Sequence, residues 1–130
     1  MTAIDTNVLV RILTHDDPEQ TARALALLEH DTVNLPVTVV LETEWVLRYC
    51  YGLSPEQTVA VFRSIVGTVG LVIDDHAAVV RAISLHARGM DFADALHLSL
   101  ANRQADRFCT FDQKLARNAR RQSVPGVVLL

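Results

Sequence analysis

Aromatic side chains make up only 5% of this 130-residue chain, so its core must rest on Val, Leu, Ile and Ala rather than on rings. Cysteine occurs twice, at Cys50 and Cys109, and matches no metal-finger spacing. That excludes a disulfide framework, and both positions, set in apolar stretches, read as reduced, buried thiols. No segment approaches the roughly 18 uninterrupted apolar residues that would cross a bilayer. Met1-Thr2-Ala3-Ile4-Asp5 offers neither the basic nor the apolar stretch of a secretory signal, so a cytoplasmic location is expected. Basic charge is not in excess either: the net charge of −3 argues against a protein that coats nucleic acid nonspecifically. Linkers, low-complexity tracts and internal repeats are missing as well, which leaves a single domain over residues 1–130. Half the residues are apolar and 21% are charged, as in an ordinary folded protein.

The charge is unevenly spread. Residues 1–65 carry four Arg against nine acids, whereas residues 66–130 carry eight Arg or Lys against six acids. Within 103–121, Arg103, Arg107, Lys114, Arg117, Arg120 and Arg121 face only Asp106 and Asp112. Two readings stand: a solvated helix surface, or a rim that attracts phosphate.

Short apolar runs alternate with helical periodicity along the whole length. Ala3-Ile4 reads as a strand entering a helix. Asp17-Pro18-Glu19-Gln20 reads as the cap, first residue and capping box of a helix to about His30. Residues 33–37 read as extended, 38–50 as a helix, and Ser54-Pro55-Glu56-Gln57 as a second capping box opening a helix to Val66. Leu71-Val72-Ile73 is a strand, 75–88 and 91–104 are helices separated by Arg88-Gly89, Phe108-Cys109-Thr110 is a strand, 112–118 a helix and 127–130 a closing strand. Strands alternating with helices predict an α/β fold, a three-layer α/β/α sandwich with a mainly parallel central sheet.

Open parallel sheets place their sites beyond the carboxyl ends of the strands. Asp5 and Asp112 each follow a predicted strand. Asp112 also suits the cap of the next helix, whereas Asp5 interrupts an apolar stretch where Asn7 caps as well. On a helix Glu42 neighbours Val39, Trp45 and Val46, an apolar face on which an unpaired carboxylate is costly. Glu44, by contrast, has Arg48 at i+4 and reads as a surface ion pair. Asp91 and Asp94 share the first turn of an apolar helix; the helix dipole accounts for Asp91, while Asp94 sits where it can project to the sheet edge. His97 reads as a packed or solvent-facing side chain, with metal ligation as the rival. Grouped carboxylates repel and raise their own pKa values, a cost that a divalent cation removes. Hard oxygen ligands favour Mg²⁺ or Mn²⁺ over Zn²⁺, and such a site suits phosphodiester hydrolysis by metal-activated water.

Four stretches in order carry a resemblance: Ile4-Asp5-Thr6-Asn7-Val8-Leu9, Leu41-Glu42-Thr43-Glu44-Trp45-Val46-Leu47, Asp91-Phe92-Ala93-Asp94-Ala95-Leu96-His97, and Thr110-Phe111-Asp112. Together, over almost the whole chain, they resemble the PIN-domain nucleases, specifically VapC-type toxins of toxin–antitoxin pairs. The resemblance implies that Asp5 and Asp94 are the primary metal ligands, that Glu42 completes the cluster and that Asp112 binds metal directly or through water. It gives Thr110 the part of orienting the last acid and Asn7 a similar supporting part, with Asp91 an accessory acid. It further implies a Mg²⁺-dependent endoribonuclease leaving 5′-phosphate and 3′-hydroxyl ends, with Arg103, Lys114, Arg117 and Arg120 on the RNA backbone. The expected partners are RNA, a VapB-type antitoxin and a second copy of the chain, with Trp45, Tyr49 and Tyr51 as candidate interface residues or, for Trp45, core. A haloacid dehalogenase-type phosphatase also has an Asp after its first strand, but needs a second acid where Asn7 stands. A PIN-like module that binds RNA or a partner without cutting is the other alternative.

Overall fold

A computed structural model describes every residue from Met1 to Leu130, and the chain divides into two compact units, Met1–His76 and Ala77–Leu130. The first unit runs β1 (Thr2–Ala3), α1 (Thr6–Thr14), α2 (Pro18–His30), β2 (Val33–Leu35), α3 (Val37–Tyr51), α4 (Pro55–Val66) and β3 (Leu71–Ile73). Its sheet has the order β1-β2-β3 and both pairings are parallel, with Ala3 opposite Asn34 and Leu35 opposite Ile73. Parallel neighbours need a crossover, and here each crossover consists of two helices. The central strand turns one apolar face fully inward, Val33 and Leu35 being enclosed, while Asn34 between them is half-buried on the other face and donates to the Asp74 carboxylate at 2.8 Å.

The helices form where local chemistry directs. Ser54 and Gln57 close a reciprocal capping box at the start of α4, whose Val59, Phe62 and Ile65 are buried on one stripe. Asp17 caps α2 through the Gln20 amide, but the predicted box stays half-made. The Gln20 side-chain carbonyl instead accepts from Arg11 Nε at 2.7 Å, a charged donor that outcompetes a backbone amide. Helix α3 begins at Val37, one residue inside the stretch expected to be extended, and ends at Gly52, whose φ of +67° supplies the left-handed turn.

The second unit comprises α5 (His76–Ala87) from its second residue on, α6 (Phe92–Ala101), β4 (Phe108–Thr110), α7 (Gln113–Arg121) and β5 (Val127–Leu129). Strands β4 and β5 pair in parallel around the α7 crossover, Thr110 opposite Leu129. Leu115, Ala116 and Ala119 form the narrow buried stripe of α7. Its last turn is latched down by Arg121, which donates to the Arg88 carbonyl at 3.0 Å, and by Gln122, which donates to the Leu85 carbonyl at 3.1 Å. Gly126 is needed before β5: its φ is +79°, and an added Cβ would lie 2.5 Å from the Asp106 carbonyl oxygen. Two helix ends differ from expectation. Helix α6 stops at Ala101 rather than 104, and α7 runs on past Asn118 to Arg121, where side-chain hydrogen bonds hold the extra turn.

Burial corrects three expectations. Cys50 and Cys109 are free, as expected, but both are exposed. Cys109 points outward because residues alternate across β4, its neighbours Phe108 and Thr110 being half-buried. Trp45 is 52% exposed rather than core, and its ring lies tilted at 44° to that of Tyr49, 5.0 Å between ring centres. The third is the pair of glutamates. Helix α3 buries Val40, Thr43, Glu44 and Leu47, so Glu44 is the enclosed acid and Glu42 the exposed one. Glu44 does pair with Arg48, at 3.0 Å, but its side chain is only 4% exposed, so it is no surface ion pair.

Candidate active site

In the first unit the site residues cluster at the carboxyl end of β1. Ile4, fully apolar, is pinned by a hydrogen bond from its amide to the Asn34 carbonyl, and the chain then turns into α1. Asp5 is the residue at that turn. Its extended backbone makes it the N-cap of α1, one carboxylate oxygen accepting from the Val8 amide at 3.0 Å. Asp5, not Asn7, therefore supplies the cap, and it spends one oxygen on it. A cleft of about 280 Å³ is lined by Asp5, Thr6, Asn7, Thr38, Val39 and Glu42. Glu42 reaches it because α3 packs against α1, and Thr38, four residues earlier, lies directly along the same face of α3. The sequence reading passed over Thr38, although its spacing from Glu42 was the signal.

Asp5 and Asn7 stand on a ridge, since they also border a second cleft of about 460 Å³ with Val8, Arg11, Gln20, Arg23, Ala24 and Leu27. Arg11 is committed there to Gln20 and to Asp16, 3.0 Å away. Arg23 has no ion-pair partner.

The second unit carries its own acidic group. Asp91 caps α6 by accepting from the Asp94 amide at 3.2 Å. Asp94, half-buried one turn in, has its carboxyl pushed above the usual range, first by burial and then by the charges of Asp91 and Asp112. His97 and Lys114 pull it partly back. Asp112 caps α7, a single oxygen accepting from the Lys114 and Leu115 amides at 2.8 and 3.0 Å, which leaves its other oxygen unused. Thr110 steers this turn through the backbone: its hydroxyl accepts from the Asp112 amide at 2.9 Å rather than touching the carboxylate. His97 is exposed, matching the solvent-facing reading. Arg103, Lys114, Arg117 and Arg120 are exposed as well, and Lys114 and Arg117 fall on one outer face of α7.

Within each unit no three His, Cys, Asp or Glu side chains already converge at ligating distance. The donor set nonetheless fits a hard divalent cation: exposed or half-buried carboxylates, each cap spending one oxygen and keeping one, with no thiol or imidazole cluster. The raised pKa of Asp94 points the same way, because like charges held near one another gain most from a shared cation.

The PIN domain family model matches residues 2–121, a span that takes in both units and all of the acids above. No curated protein sequence matches the chain. PIN domains are generally nucleases that typically use divalent metals and act on RNA. No helix here is long and apolar enough to cross a membrane. With the match running over nearly the full length, the chain belongs to the PIN domain family, and its α/β/α fold with parallel strands is of that nuclease type.

Proposed function

We propose that this chain, acting as one nuclease domain, is a Mg²⁺-dependent endoribonuclease and the toxin of a type II toxin–antitoxin pair. The observation that carries the nuclease reading is the state of Asp94, a half-buried carboxyl held against two like charges in a family of metal-dependent nucleases. Structural acids are normally placed near cations; one burdened by burial and by neighbouring aspartates is a functional candidate. Asp5, Glu42, Asp94 and Asp112 are the proposed metal ligands, with Asn7, Asp91 and Thr110 supporting them. Mg²⁺ is preferred on ligand hardness, with Mn²⁺ as substitute. When bound, the cation supplies Lewis acidity toward the scissile phosphate and the attacking water.

The chain's own residues do the rest. The caps at Asp5 and Asp112 fix each carboxylate by backbone hydrogen bonds, so no side-chain search precedes catalysis. Lys114, Arg117, Arg103 and Arg120 supply positive charge for the RNA backbone. The toxin role, a VapB-type antitoxin and a homodimer rest on the resemblance to VapC-type toxins. The exposed Trp45, Tyr49 and Tyr51 of α3 are the proposed contact surface for those partners.

The test is cleavage of total cellular RNA by the purified, partner-free chain with Mg²⁺ or Mn²⁺, then with EDTA. Discrete fragments that disappear with EDTA and with Asp94→Asn are the expected result. Intact RNA under every metal condition defeats the proposal and favours a second reading, a module that grips RNA or a partner without cutting. One observation already speaks for that reading: no three ligating side chains stand converged within either unit.

A further inference from the structure

The residue between Thr110 and Asp112 has no structural work. Phe111 is 80% exposed, in a chain with only four phenylalanines. An apolar residue just before a helix cap ordinarily folds back onto the first turns as a hydrophobic staple. Here its counterpart would be Ala116, which is buried without it. The backbone on either side is held fast. The Leu130 amide donates to the Thr110 carbonyl at 2.9 Å, and the Asp112 amide donates to the Thr110 hydroxyl at 2.9 Å. The ring therefore projects into solvent from an anchored backbone, with only its two side-chain torsions left to order on binding.

Its setting gives the surface a partner. Lys114 and Arg117 follow on the outer face of α7, within about 8 Å of Asp112 along the helix axis. Neither takes part in an ion pair, whereas Arg121 on the same face is committed to Arg88 and Asn118. An exposed ring beside unpaired cations is the combination that holds single-stranded nucleic acid: a base stacks on the ring and phosphates lie along the cations. A protein partner of ordinary apolar character would leave both cations unanswered.

We propose that Phe111 is a stacking platform for an unpaired base of single-stranded RNA, with Lys114 and Arg117 holding the adjoining phosphates. The proposal rests on the nuclease reading and deepens it. It seats one base of the bound strand beside Asp112.

The probe is a fluorescein-labelled oligouridylate 12-mer, bound by the full chain in EDTA and followed by anisotropy over a range of salt. Phe111→Ala should weaken binding about 5- to 150-fold, the range seen when a stacking ring is removed. Phe111→Leu should fail like alanine and Phe111→Trp should bind at least as well as the parent, which separates stacking from simple apolar contact. The salt slope should stay unchanged in both weak variants, while Lys114→Ala or Arg117→Ala should each lower it by about 0.7. In Trp45→Phe/Phe111→Trp, whose only indole is at the proposed platform, the oligonucleotide should quench fluorescence. Binding by Phe111→Ala within twofold of the parent, with metal-dependent RNA cleavage intact, overturns the platform and leaves the nuclease standing. So does a loss of self-association in place of RNA binding. A parent chain that neither binds the oligonucleotide nor cleaves RNA overturns the nuclease reading itself.

Discussion

Asp112 is asked to do two things, and substitution can separate them. One of its oxygens satisfies two orphan amides at the start of α7, those of Lys114 and Leu115. Removing a cap costs about 0.5–2 kcal/mol, and a carboxylate serving two donors at 2.8 and 3.0 Å belongs near the top of that range. Asp112→Ala should therefore lose about 1.5–2 kcal/mol. A 130-residue chain has an unfolding entropy of about 0.27 kcal/mol/K, so the melting temperature should fall by about 6–7 °C. Asn caps as well as Asp and forfeits only the dipole attraction, so Asp112→Asn should stay within about 1 kcal/mol of the parent. Urea titration measures the difference, and amide exchange at Lys114 and Leu115 should quicken in the alanine variant alone. Both variants should lose metal-dependent RNA cleavage. Equal destabilisation by Ala and Asn, or none by either, would refute the capping argument.

Arg48→Met strands Glu44, whose side chain is 4% exposed, and should cost about 2 kcal/mol; the figure is discounted from the 3–5 of a fully buried pair because Arg48 is 40% exposed. Urea midpoints check it, and Glu44→Gln/Arg48→Met should recover most of the loss. The Tyr51 hydroxyl, followed by Thr14 and Arg11, holds the Asp16 carboxyl below its usual range. Tyr51→Phe should raise that value in a carboxyl NMR titration. A depressed carboxylate stabilises the fold above its unfolded pKa and loses that contribution as pH falls through the folded one, so the variant should denature at higher pH in acid. Asp94 has the opposite sign: with its folded pKa raised by burial and by Asp91 and Asp112, its ionisation works against folding at neutral pH. Asp94→Asn should melt higher than the parent in EDTA and lower in excess Mn²⁺, where a cation at a hundred times its dissociation constant adds about 2.7 kcal/mol to the parent. A parent whose melting point ignores Mn²⁺ would count against the metal site.

The elements were legible wherever a local signal decided them. Pro18 and Pro55 at first helical positions, the capping box at Ser54 and the apolar strands at 33–35, 71–73 and 108–110 all have short-range causes. Sidedness was not legible when two faces of a helix were both apolar. In α3 the stripe Val40, Thr43, Glu44 and Leu47 is buried, while Val39, Trp45 and Val46 around Glu42 make a second apolar face. Trp45 misled because a ring of that size is normally placed inside. The cysteines failed for a related reason: apolar neighbours in sequence say nothing about which way a strand residue points, and Cys109 alternates outward. The candidate acids were legible because aspartates after short strands are few. What lies beyond sequence is the division of labour within each carboxylate.

Capping and function do not compete for these carboxylates. Asp5, Asp91 and Asp112 are all caps, so the structural reading of each is correct. Yet a cap consumes one oxygen and leaves the other, on a carboxylate now held in place, for another partner. Capping also lowers the cost of assembling acids, since the amides at each helix N-terminus carry partial positive charge. Asp94 shows the contrast. It lies within the first turn rather than at the cap, both of its oxygens lack a backbone donor, and burial and its acidic neighbours push its carboxyl upward. An architecture that starts a helix immediately after a strand thus holds carboxylates rigid and partly offset by the same backbone. The acid left outside that arrangement is the one with most to gain from a cation, which is why Asp94 is the position at which metal affinity should be most sensitive to substitution.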